Sequence, residues 1–97
     1  MTYELAFLPS ARREWDKLDN SIKTLFKRRL AERLENPHMP SAALHGMRNA
    51  YKIKLRQAGY RLVYTVDDGL ITVTVVAVGR RDKSTVYVQA LARAKDK

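Results

Sequence analysis

The chain opens on an alternation of apolar and smaller or polar side chains. In Tyr3-Glu4-Leu5-Ala6-Phe7 the large apolar residues recur at every second position, the period of a half-buried strand. Pro9 ends the run. Ser10 offers cap chemistry for a helix over 11–18, with Trp15 and Leu18 on its buried stripe. Asp19-Asn20-Ser21 breaks the pattern. Ile22, Leu25, Phe26, Leu30 and Leu34 then recur at helical spacing and predict a second helix over 21–34. Lys23, Lys27, Arg28, Arg29 and Arg33 fill its other side, the usual composition of a solvated face. Asn36-Pro37 stops it. Residues 36–49 are a connector of small and turn-forming residues.

Beyond the connector the period returns to two. Residues 51–56 and 60–66 alternate, and Asp68-Gly69 signals a hairpin into 70–78, which is apolar enough for a central strand. Ser84 could cap a short last helix with Val88, Leu91 and Ala92 on its inner side. The order β-α-α-β-β-β-α predicts an α+β fold in one small domain over 1–97. It has an antiparallel-rich sheet, a helical hairpin on one face and a short C-terminal helix.

Parity places the charges. In the first strand of the meander Tyr51, Ile53 and Leu55 point one way, and Lys52, Lys54 and Arg56 the other. An odd loop before Arg61 would bury its guanidinium unpaired on the apolar face, which is costly. An even loop puts Arg61 with the lysines, opposite Arg56, with Lys54 opposite Val63. Pairing across Asp68-Gly69 sets Thr72 opposite Thr65 and Thr74 opposite Val63 on the same side. The expected result is an open basic sheet face. Gly79-Arg80-Arg81-Asp82-Lys83 adds cations at the end of the last strand, followed by Tyr87.

Composition sharpens this picture. Nineteen Lys and Arg against ten Asp and Glu give +9 over 97 residues, and between Asn36 and Val66 there are five cations and no acid. Side-by-side like charges repel, so the arrangement implies an anionic partner. A phosphodiester backbone suits it, with lysine as point charge, arginine as fork and tyrosine as stacking surface. No cysteine is present, which excludes a disulfide scaffold and thiolate chemistry. The first residues lack the basic and apolar regions of a signal peptide, and no run is apolar enough to span a membrane, so a cytoplasmic protein is expected.

RNA carries its own nucleophile, the 2′-hydroxyl. A ribonuclease then needs a base, cations for the phosphoryl oxygens, and an acid for the leaving 5′-oxygen. His38 and His45 both lie in the connector, and His38 reads as a solvent-facing loop histidine. Glu14, Glu32 and Glu35 read as helix residues that face solvent or pair locally. Lysine and tyrosine are left for proton transfer. A lysine among cations has its pKa lowered by like charge, which suits the task. No metal or other cofactor is called for.

Three blocks carry a resemblance to a known family: EWDKL at 14–18, LHGMRNAYKIKLRQAGYRLVY at 44–64 and VGRRDKSTVY at 78–87. The chain resembles the RelE toxins of bacterial toxin–antitoxin modules, part of the RelE/ParE superfamily, over nearly its whole length. The resemblance implies a ribosome-dependent mRNA interferase that cuts message in the A site by metal-free attack of the 2′-hydroxyl and so inhibits translation. It implies Lys52, Lys54, Arg61, Arg81 and Tyr87 as catalytic positions. Arg61 and Arg81 would hold the phosphate and Lys54 would be the acid. Lys52 or Tyr87 would be the base, and Tyr87 would also stack on the message.

Further RNA contacts are expected from His45, Arg56, Lys27, Arg28, Arg80 and Lys83. His45 stands where the RelE pattern often has arginine, which weakens the grip there or makes it pH-sensitive. The implied partners are an acidic or amphipathic RelB-like antitoxin that displaces or blocks the C-terminal helix, ribosomal RNA, and mRNA. No membrane is implied, and DNA only through the antitoxin. Two other readings stand beside this one: a non-catalytic RNA- or ribosome-binding module, and a ParE-like toxin acting on a protein target.

Overall fold

The computed structural model describes residues 2–80 and 85–95. β1 (Glu4–Phe7) leads into α1 (Pro9–Asp16) and α2 (Asn20–Glu35). A single 3-10 turn (Pro40–Ala42) interrupts the connector. β2 (Ala50–Leu55), β3 (Tyr60–Asp67), β4 (Thr72–Arg80) and α3 (Thr85–Lys95) follow. The sheet order is β1-β4-β3-β2, with β1 parallel to β4 and the other pairs antiparallel. β4 is therefore central and β2 an edge.

Pro9, with its fixed φ and missing N–H, starts α1, and Leu8 rather than Ser10 holds the N-cap position. Ala11 and Trp15 of α1 and Ile22, Phe26 and Leu30 of α2 are buried against the sheet. Their partners are Tyr51, Ile53, Leu55, Leu62, Tyr64, Val66, Val73, Val75 and Val78. Phe7, Trp15 and Phe26 form a tilted aromatic chain, with centroids 5.4 and 6.1 Å apart. Leu25 drops out of the expected stripe at 41 % exposure.

The face expected to be open is partly covered. α3 packs Val86 and Ala90 onto Val63, Val76 and Ala77. Its inner side is thus not the expected one: Val88 is 65 % exposed and Ala92 is exposed. A register shift opposite Val63/Tyr64 explains why the apolar run of β4 is continuous. The shift leaves Val76 without a partner, so Val76 and Ala77 both face α3 while Val75 and Val78 face the helical hairpin.

Two registers also differ from expectation. The turn of 56–59 holds four residues, with Gly59 at φ +74 and its N–H donating to Leu55 O at 2.8 Å. This sets Lys54 opposite Arg61, and Arg56 lies exposed in the turn rather than opposite Arg61. The turn of 68–71 likewise holds four residues, pairing Thr72 with Asp67 and Thr74 with Thr65. In both cases the even count predicted by parity holds and the strands slide by two, which by itself leaves each side chain on its face; only the bulge at Val76 changes it.

Candidate active site

β2 and β3 supply three cations to one face, Lys52, Lys54 and Arg61, all half-buried. α3 brings Tyr87 over them. Arg61 Cζ lies 5.1 Å and Lys52 Nζ 6.0 Å from the centroid of the Tyr87 ring. α3 can lie so low because Gly79, opposite Arg61, has no side chain. A Cβ there would meet Val86 Cγ2 at 3.2 Å.

The site is electrostatically strained. Lys52, Lys54 and Arg61 form no ion pair among the described residues. The charge on Lys52, then desolvation, then Arg61 and Arg56 push the Lys54 ammonium below the ordinary lysine range. Arg61 Nε and the Tyr87 hydroxyl are buried with no hydrogen-bond partner among the described residues. Buried polar groups are almost always partnered, so two orphans side by side point to a polar ligand that completes them. Fixed cations, a fork and an unpaired hydroxyl suit an anion that gains charge as it reacts.

Of the other expected contacts, Arg80 is exposed at the end of β4, with its guanidinium 5.8 Å from the Tyr60 ring centroid. Arg56 is exposed in the β2–β3 turn. Lys27 and Arg28 are exposed on α2, and Arg28 shares a cleft with Lys52, Lys54 and Arg56. His45 is exposed in the turn before β2 and makes no hydrogen bond or ring contact among the described residues. Arg81 and Lys83 lie outside the described residues.

Three supporting groups escaped the sequence reading. Arg33, read as a solvated helix cation, donates from Nη1 to Lys52 O at 3.2 Å and to the Tyr64 hydroxyl at 2.9 Å. It thereby caps an outward carbonyl of the edge strand, directly behind a site residue. Its spacing from Phe26 and Leu30 was the available signal, since seven and three residues on is the same helix face. Tyr64 in turn donates to Pro37 O at 2.8 Å. Burial pushes its hydroxyl pKa up, and Arg33 acts in the opposite direction.

Glu14, expected to face solvent or pair locally, instead receives Arg93 Nη1 at 3.0 Å and Nη2 at 3.2 Å across the whole chain, and Val78 N at 3.3 Å. Arg93 also donates to Val76 O at 2.7 Å. The pair seals β4 where β1 has ended and fastens the last turns of α3. His38 is not a free loop histidine either. Its Nδ1 bonds the Tyr51 hydroxyl at 2.9 Å and its Nε2 bonds Asp68 at 2.9 Å. Tyr3 donates to the same carboxylate at 2.6 Å. The Tyr3 bond first, then His38, holds Asp68 below the usual carboxylate range, while the Tyr3 hydroxyl is pushed up.

Residues 5–85 match the family described as ParE toxin of type II toxin–antitoxin system, parDE. The mRNA interferase toxin RelE of Escherichia coli strain K12 is 45 % identical over 93 residues, 96 % of this chain and 98 % of that protein. The chain belongs to the RelE/ParE family of type II toxin–antitoxin toxins. A substituted form of E. coli RelE in the free state superposes with a TM-score of 0.89 at 44 % identity, covering 96 % of this chain and 98 % of that one. The toxin in the intact E. coli RelBE toxin–antitoxin complex gives 0.80 at 43 %, covering 84 % and 99 %. The ParE family match stops at residue 85, before Tyr87. The full-length RelE alignment spans too much of the chain to omit it. The RelE/ParE scaffold is thus shared, and the likeness to RelE extends over the helix that completes the site.

Proposed function

We propose that this toxin is an mRNA interferase, an endoribonuclease that cleaves message in the ribosomal A site and so inhibits translation. The observation that carries the reading is the trio Lys52, Lys54 and Arg61, with no carboxylate partner among the described residues, beneath a Tyr87 hydroxyl that likewise has no partner among them. The 2′-oxygen attacks the adjacent phosphorus and gives its proton to the base, Lys52 or Tyr87. The P–O5′ bond breaks, and the departing oxygen takes a proton from Lys54. The products are a 2′,3′-cyclic phosphate and a 5′-hydroxyl. Arg61, with Arg81, neutralises the non-bridging oxygens as charge gathers on them. The lowered pKa of Lys54 supports its role as acid, because it releases a proton more readily than an isolated lysine.

His45, Arg56, Lys27, Arg28, Arg80 and Lys83 supply further RNA contacts, Lys27 among them to ribosomal phosphates, which are bound without regard to sequence. A RelB-like antitoxin restrains the toxin in the cytoplasm, a reading supported by the RelBE complex of the relative. No described helix is long and apolar enough to cross a membrane. The ParE family match favours one other reading, a toxin directed at a protein target. Primer extension on ribosome-bound message tests both: new 5′ ends support the interferase, and intact message overturns it.

A further inference from the structure

A cleft of about 690 Å³ runs between α2 and the β2 edge, a size in the usual range of ligand clefts. It is lined by Arg28 and Arg29 from α2 and by Arg56 from the β2–β3 turn, and it reaches Lys52 and Lys54 of the candidate active site. Glu32 is the only acid on its wall among the described residues. Arg28, Arg29 and Arg56 are exposed and make no hydrogen bond or ion pair among the described residues. Leu25, unusually exposed for its helix, and Leu55 give the cleft an apolar side. Cations from α2, from the β2–β3 turn and from β2 itself therefore line one cleft.

We infer that this cleft seats the backbone of the message strand next to the reacting phosphate, with Arg28, Arg29 and Arg56 holding successive phosphates and Leu25 meeting a sugar or base. The inference rests on the interferase reading for what the strand is. The charge argument for a phosphodiester ligand stands on the cleft itself: guanidinium forks without an ion pair among the described residues match non-bridging oxygens, and Lys52 and Lys54 of the candidate active site lie on the same wall. A chain gripped there would be positioned for reaction without the cleft touching the reacting atoms.

The test measures binding of a short single-stranded RNA, 2′-O-methylated throughout so that it cannot react, across a salt series. Wild type is compared with Arg28→Ala/Arg29→Ala and with Lys17→Ala, an exposed charge outside the cleft. The expected result is at least a tenfold loss for the double variant. Its log affinity against log salt should flatten by about 1.4, the share of two single-strand phosphates. Lys17→Ala should keep the wild-type slope. In message cleavage the double variant should raise KM and leave kcat within about twofold. An unchanged slope, no wild-type binding at low salt, or a loss seen only with message-free ribosomes would each overturn the inference, the last assigning the cleft to ribosomal RNA. Because the binding arm needs no cleavage, failure of the interferase reading shows separately as intact message.

Discussion

Lys54 and Arg61 stand directly opposite each other across β2 and β3, two cations in register with no carboxylate paired to either among the described residues. Repulsion from Lys52 first, then desolvation, then repulsion in this pair lowers the Lys54 pKa and makes it a better acid than a free lysine. It also makes the face a receptor for an anion.

The sign of the Lys54 shift can be measured without activity. Lys52 is the largest cause of its lowered pKa, so Lys52→Gln should move the NMR titration midpoint of Lys54 upward, toward the ordinary lysine range. As an acid, Lys54 must hold its proton. Wild-type cleavage should therefore fall on the alkaline side at a lower pH than an isolated lysine would give. A midpoint unmoved by Lys52→Gln would break the electrostatic account.

Arg61→Lys keeps a charge and loses the fork. Cleavage should drop about 10²–10³-fold in kcat, the scale of removing one preorganised donor to a developing charge. Binding to ribosomes, spread over many phosphates, should change far less. Equal losses in both would make Arg61 a binding residue only.

α3 carries Tyr87 and is fastened by Glu14 and Arg93. Glu14→Gln leaves Arg93 without its counter-charge and weakens the bidentate bond, at a cost on the order of 2 kcal/mol. Cleavage should fall with it. In a Tyr87→Phe background the same substitution should cost little further activity, because both act through one hydroxyl. Additive losses would detach the clamp from Tyr87.

Tyr64→Phe strips a buried hydroxyl that accepts from Arg33 and donates to Pro37 O. The loss should be about 1–3 kcal/mol in denaturant unfolding, since both partners lose a bond in a water-poor place. A neutral outcome would mean that water replaces the hydroxyl.

What could be read along the chain was what depends on period. Alternation at 51–56 and 60–66 put Lys52, Lys54 and Arg61 on one face, and helical spacing put Ile22, Phe26 and Leu30 inside. Contacts between distant elements could not be read that way. Glu14 and Arg93 are 79 positions apart, and nothing local marks them as partners. The bulge at Val76 looked like an uninterrupted apolar strand, so the covering of that face by Val86 and Ala90 went unseen. Arg56 was placed beside Arg61 because parity fixes a face but leaves the register free by two residues.

The most direct test of the central claim is primer extension on message from programmed ribosomes incubated with the toxin. New 5′ ends should appear within the A-site codon and be lost in Lys54→Ala and Arg61→Ala. Intact message on ribosomes that the protein binds tightly would contradict it.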